Sequence, residues 1–168
     1  MTWQSRRVEI RQRKAEDERS LEGFVARHNL QRVARLGELL DPLDHSALVA
    51  DDNGRIAGLL TYIIGPEKCE ILTMHVDSKW LGTGTRLLAA AEEAARAKEC
   101  DRLVVVTTND NVDALRFYQR RGFSLAALHK GAVDKSRTRL KPEIPKLGDH
   151  GIPLRDELEL HKELLEKR

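Results

Sequence analysis

The sequence predicts an α/β domain built on a mixed, mostly antiparallel sheet, and three observations carry that prediction. Asn53-Gly54 separates two apolar runs, residues 47–50 and 55–64, and that dipeptide between alternating apolar segments is the strongest short-range signal for a β-hairpin. The stretch from Cys69 to Leu88 passes from an apolar, strand-like run through Gly82-Thr83-Gly84 straight into an amphipathic helix. A second apolar run, residues 102–107, follows that helix. Strand, helix and strand then form a crossover, which sets the two strands parallel.

The remaining elements follow in chain order. Residues 7–11 alternate polar and apolar and read as a first strand. Residues 16–40 are rich in helix formers, with apolar side chains at Leu21, Phe24, Val25, Val33, Leu36, Leu39 and Leu40, and the spacing predicts two short helices ended by Asp41-Pro42. Gly65-Pro66 turns the second hairpin strand back into residues 69–76, completing a three-stranded meander. Between Gly84 and Glu99 the apolar positions Leu87, Leu88, Ala91, Ala94 and Ala95 share one helical face. A short helix over residues 111–119 ends near Gly122, and residues 124–130 continue as a strand. Residues 130–146 carry six Lys and Arg against Asp134 and Glu143, with Pro142 and Pro145, and read as a loop or short helix. Residues 156–160 alternate as a strand does, although Leu154, Leu158 and Leu165 also fit a helical face.

Composition bounds the rest. At 168 residues the chain reads as one domain, 1–168, with residues 131–168 an extension that completes the sheet. Cys69 and Cys100 lack metal-ligand or framework spacing, which fits a reducing, cytoplasmic setting. Lys and Arg number 29 against 27 Asp and Glu, so bulk charge gives no reason to expect nucleic acid as a partner. No uncharged stretch is long enough to span a bilayer, and the first residues lack the apolar core of a signal peptide, so no membrane partner is expected. A homodimer is compatible with all of this.

The chemistry lies in two blocks. Lys79-Trp80-Leu81-Gly82-Thr83-Gly84 opens a helix whose first N–H groups and dipole would converge on one spot suited to a phosphate. Downstream come Asn111, Ala114, Phe117, Tyr118, Gly122 and Phe123 in the order Asn-x-x-Ala-x-x-apolar-Tyr-x-x-x-Gly-Phe. Together these blocks resemble the GNAT superfamily of N-acetyltransferases, which acetylate amines with acetyl-CoA, over roughly residues 6–130. Lys79 stands where that family usually has Arg or Gln, and Leu81 where it often has a smaller or basic residue.

The resemblance implies a GNAT-like fold of about six to seven strands flanked by helices, with the fourth and fifth strands splayed to admit the pantetheine arm of acetyl-CoA as a co-substrate. No metal is expected. Backbone groups of Met74, His75 and Val76 would meet that arm, with the Val76 N–H as oxyanion donor. The apolar spacing itself calls for one bulged residue: Ile71 to Met74 is an odd step and Met74 to Val76 an even one. The N–H groups of Leu81, Gly82, Thr83, Gly84, Thr85 and Arg86 would cradle the pyrophosphate, with the glycines keeping a Cβ out of the way. Lys79 or Arg86 would add charge. Tyr118 stands in the position of the general acid, and Asn111 in that of a pantetheine contact as well as an N-cap.

Glu70 occupies the approximate place of the family's base, with His75 as the second candidate. The acceptor is an amine that the residues do not name. The basic segment 130–146 is either a solvated face or a border of the acceptor site, and in the second case an acidic or phosphate-bearing acceptor is favoured. Two other readings of the glycines fail: a dinucleotide fold lacks its third glycine, and a P-loop lacks Gly-Lys-Ser/Thr. A non-catalytic acyl-CoA-binding module is the alternative from a different class.

Overall fold

The computed structural model describes residues 8–78 and 81–165. Seven strands form one sheet: β1 (Glu9–Gln12), β4 (Ser46–Asp52), β5 (Arg55–Ile64), β6 (Lys68–Val76), β7 (Arg102–Thr108), β8 (Ser124–His129) and β9 (Glu157–Glu163), in the spatial order β1-β4-β5-β6-β7-β9-β8. Only β6 and β7 run parallel; the other neighbours are antiparallel. A separate hairpin, β2 (Val33–Arg35) with β3 (Glu38–Leu40), lies outside this sheet. The helices are α1 (Glu18–Arg27), α2 (Thr83–Ala97), α3 (Val112–Gln119) and α4 (Ala132–Arg139).

The turns form where the sequence supplies left-handed conformers. Asn53 and Gly54 have φ of 53° and 87°, the pair of positive values that a tight antiparallel hairpin requires. Side chains alternate across the sheet, so each strand contributes to two layers. Leu60, Ile71, Leu103, Val105 and Leu160 pack with Leu87, Leu88 and Ala91 of α2 and Tyr118 of α3 on one face. On the other face Val49 and Leu59 pack against Leu21, Phe24 and Val25 of α1.

One expected element is different. Residues 16–40 hold a single helix, α1, followed by the β2–β3 hairpin rather than a second helix. Val33, Leu36, Leu39 and Leu40 mimic helical spacing, but Asn29 adopts φ of 54° just past the end of α1, and Leu36 and Gly37, at 46° and 81°, close a two-residue hairpin turn. A long-range contact holds Leu36 there: its N–H donates to the Glu157 carboxylate at 2.9 Å. The basic segment contains the short helix α4, and β9 inserts between β7 and β8 as a strand.

The feature that positions the site is in the middle of the sheet. The β6–β7 ladder runs only from Lys68/Arg102 to Ile71/Val105. Against β5, Thr73 pairs with Thr61 and Ile71 with Tyr62, so Leu72 is an extra residue in β6. This bulge restores Met74 and Val76 to the face of Ile71, against the core of α2 and α3. Beyond it β6 and β7 share no ladder among the described residues, which is the splay of the fourth and fifth main-sheet strands.

An ion-pair knot fixes α1 to the sheet edge. Arg11 on β1 donates to both oxygens of Asp17 at 2.7 and 2.9 Å and to Asp51 on β4. The hydrogen bond from Arg11, with a further one from the Lys14 N–H, lowers the Asp17 carboxyl from 3.8 to about 2. A depressed carboxyl pKa stabilises the fold above its unfolded value, and that gain is lost as pH falls through the folded value. Asp17→Asn should therefore lower stability at pH 7 by about 1–2 kcal/mol. Thermal unfolding checks the sign: the gap between variant and parent should hold above pH 4 and close towards pH 2.

Candidate active site

The cradle starts where β6 leads into α2. Gly82 caps α2 with φ of 77° and no side-chain capping bond, and the first turn of α2 carries no acidic residue. Its leading N–H groups are thus left without a capping side chain, at the positive end of the helix. Leu81 beside it is 75% exposed, so the approach is open. A Cβ on Gly82 would meet nothing within 4 Å; what requires glycine here is the left-handed backbone. Gly84 differs. A Cβ there would lie 3.6 Å from the Phe117 ring and 4.0 Å from the Met74 terminal methyl, which is ordinary contact, so Gly84 sits where α2 meets α3 and the free end of β6.

Around this turn two arginines have distinct duties. Arg86 donates to the Val8 carbonyl at 2.7 Å, which ties α2 to the first described residue. Arg121, which the sequence reading did not single out, donates from Nε and Nη2 to Thr85 Oγ1 at 3.1 and 2.7 Å and stacks 3.7 Å over the Phe117 ring. Burial and the neighbouring Arg120 lower its pKa, yet it remains a cation beside the α2 N-terminus. The only sequence signal was Arg120-Arg121 ahead of Gly122, inside the second motif. Lys79 lies outside the described residues.

Tyr118 is buried on the α2–α3 face, with its ring 5.2 Å from Phe117 and 5.1 Å from Phe123, both edge-on. Its hydroxyl has no hydrogen-bond partner among the described residues, and burial raises its pKa above the ordinary value. Such a phenol keeps its proton at neutral pH and has it free to give. Asn111 caps α3 by accepting from the Ala114 N–H at 3.1 Å, which uses its carbonyl oxygen and leaves the amide end of the side chain. The preceding Asp110 accepts from the Thr108 hydroxyl and the Asp149 N–H.

Glu70 and His75 point to the opposite face from Ile71, Met74 and Val76. Glu70 is 8% exposed and faces Arg35 of the β2–β3 hairpin with both oxygens: Nη2 donates to Oε2 at 2.9 Å, and Nε lies 2.6 Å from Oε1 without good alignment. Arg35 also pairs with Glu38. His75 stacks 4.0 Å from the His28 ring and edge-on to Phe24, while His28 bonds Asp77 at 2.9 Å. Next to this cluster is a carboxylate absent from the sequence reading. Glu157 on β9 is 2% exposed, accepts from the Leu36 N–H, and has its pKa raised by burial. In sequence it is one acidic residue in an alternating strand, and nothing local announces its burial.

A helix N-terminus opened by a left-handed glycine thus stands beside two parallel strands that part company. The model of the acetyltransferase (GNAT) family matches residues 7–123, and the chain belongs to that family. Among curated relatives it is 48% identical over 124 residues to the uncharacterized protein YxbD of Bacillus subtilis (strain 168), covering 74% of this chain and 77% of that protein. Two solved structures share the fold with a TM-score of 0.68. One is an IAA acetyltransferase from Bacillus cereus ATCC 14579, 23% identical, covering 94% of this chain and 99% of that one. The other is a Bacillus subtilis acetyltransferase in complex with CoA, 19% identical, covering 95% of this chain and 100% of that one.

Gly82→Val tests the cradle. A β-branched residue at φ of 77° strains the backbone and stiffens the turn, so acetyl-CoA affinity should fall by at least about tenfold. Calorimetry reads the affinity and circular dichroism confirms folding.

Proposed function

We propose that the protein moves an acetyl group from acetyl-CoA to a primary amine by direct attack of the amine on the thioester. The observation that carries this reading is the gap between β6 and β7, with Tyr118 on one face of the sheet and Glu70 and Glu157 on the other. Amine and thiol must lie on different sides of the carbonyl carbon, and the gap allows one to arrive from each face.

When bound, acetyl-CoA supplies the activated acyl carbon. The α2 N-terminus from Leu81 to Arg86, with Arg121 beside it, holds the pyrophosphate charge. Backbone groups of Met74 and Val76 meet the pantetheine arm where a strand neighbour is missing, those of His75 facing Leu59 of β5 instead, and the Asn111 amide adds a contact. The Val76 N–H donates to the carbonyl oxygen as negative charge gathers there. Tyr118 gives its proton to the departing sulfur. Amine deprotonation falls to a carboxylate on the opposite face. Glu70 is there by position, and its Arg35 fork must open before it accepts a proton. Glu157 is the better prepared by burial.

Release of free thiol from acetyl-CoA across a panel of amines tests the activity, and acetyl-CoA binding without thiol release would reduce the protein to a binding module. Tyr118→Phe should slow turnover roughly a hundred- to ten-thousand-fold with little change in acetyl-CoA affinity. A lysine-like amine, pKa about 10.4, is neutral in about one molecule in 2,500 at pH 7. With such an acceptor, the base is whichever of Glu70→Gln and Glu157→Gln gives a loss in turnover that shrinks as pH rises. A pH-independent loss for both variants would show that neither carries the proton.

A further inference from the structure

The face that carries Glu70 and Glu157 also holds a cavity of about 530 Å³ between the β2–β3 turn and α4. That volume suits a small molecule. Ala132, Lys135, Ser136 and Arg139, at helical spacings of three and four, present one side of α4 to it; Leu36 and Leu140 give it apolar walls. His129 also lines it, already bonded to Glu159 at 2.9 Å.

Two observations on α4 point to a ligand, and they are independent. The first is Ser136: it is 3% exposed, and its hydroxyl has no hydrogen-bond partner. Buried hydroxyls in folded proteins are nearly always partnered, and a helical serine could have bonded back to the preceding turn. The second is how the basic segment divides. Arg137 folds inward and donates to the carbonyls of Ile144, Pro145 and Leu154 and to Asp134, so it staples the segment together. Lys141 donates to the Arg32 carbonyl. Lys135 and Arg139 make no ion pair with any described residue, and both line the cavity. Lys130 adds a third cation at the rim. The carboxylates behind this wall are engaged elsewhere, Glu159 by His129 and His161 and Glu157 by the Leu36 N–H.

We propose that this cavity is an anion subsite for the acceptor, in which Ser136, Lys135 and Arg139 hold a carboxylate or phosphate group and Leu36 and Leu140 pack the short apolar body that joins it to the amine. The acceptor class is then a small amine with an anionic group at its far end. The assignment rests on the acetyl-transfer reading for the amine's fate, while the anion site itself stands on the cavity alone. The hairpin that roofs the cavity is anchored to the sheet through Arg35 and Glu70, two residues before the bulge at Leu72, so the subsite adjoins the strand whose free end borders the gap.

The test has a binding arm and a kinetic arm, both on the full chain. In the first, amide NMR shifts are followed during titration with inorganic phosphate and, separately, with acetate. Saturable shifts confined to residues 130–140 are expected, and the anion that saturates at lower concentration names the group. The shifts should vanish in the Lys135→Gln/Arg139→Gln double variant, and weaken in Ser136→Ala. Both exchanged cations are exposed, so the fold is retained. In the second arm, matched amines with the anion present or capped as a neutral amide are compared by thiol release. The double variant should raise KM for the anionic amine about tenfold or more and leave KM for the neutral amine and for acetyl-CoA unchanged.

Absence of saturable shifts, or equal kcat/KM for anionic and neutral amines with the parent protein, overturns the subsite and leaves acetyl transfer standing. Saturable phosphate shifts in a protein that binds acetyl-CoA but releases thiol with no amine overturn acetyl transfer and leave the anion site standing.

Discussion

The separation of β6 from β7 is the constraint on which the rest of the molecule depends. A parallel pair in the middle of a sheet would ordinarily continue its ladder to the end of both strands, because an unpaired backbone group inside a protein costs more than the bond returns when made. Here the ladder ends at Ile71 and Val105 while both strands run on. The bulge at Leu72 makes this compatible with a packed core. It turns β6 away from β7 and, by inserting one residue, keeps Met74 and Val76 against α2 and α3. The open strand ends are then a ready-made place for an extended polar molecule to act as a strand. Near that opening Gly84 of α2 lies beside Phe117 and Met74, and Arg121 stacks on Phe117 while bonding Thr85.

On the opposite face, apolar packing holds α1 against β4 and β5, while charge holds the β2–β3 hairpin. Arg35, on a hairpin that belongs to no other sheet, reaches Glu70 on β6 and Glu38 beside it, and the next residue, Leu36, is held by Glu157 from β9. These contacts join three segments distant in sequence. A buried ion pair of this kind returns little net stability, but removing one partner leaves the other buried and uncompensated. The arrangement therefore fixes where the hairpin sits more than it adds to the stability of the fold. Leu36 holds a left-handed conformation, uncommon for a leucine, and the bond from its N–H to Glu157 over-determines it. The same residue lines the cavity beside α4, so the bond that fixes the hairpin also fixes one wall of that cavity.

Legibility followed the range of the interactions. The Asn53-Gly54 hairpin, the glycine turn that opens α2, the single bulge between Ile71 and Met74, and the Asn111 cap were all readable because each is decided within a few residues by backbone sterics or by the two-residue alternation of a strand. The family motifs were readable for the same reason, since both begin at strand-to-helix junctions where local backbone preference sets the turn. Residues 33–40 were misjudged because Val33, Leu36, Leu39 and Leu40 satisfy a helical spacing, and Leu36, unlike glycine, gives no sign of a positive φ.

By itself the sequence thus determined the sheet-and-helix class, the main turns and the glycine-led helix N-terminus, all consequences of local backbone preference. Only the tertiary structure decided which charges matter. Glu70 and Glu157 are both acidic residues in strand patterns, yet one is locked by Arg35 and the other is a buried carboxylate bonded to a backbone N–H. Arg137 and Arg139 are two residues apart, yet one is spent on backbone carbonyls while the other faces a cavity. Sequence carries a side chain's charge, but burial and partners come from segments far away along the chain, and those set what the charge can do.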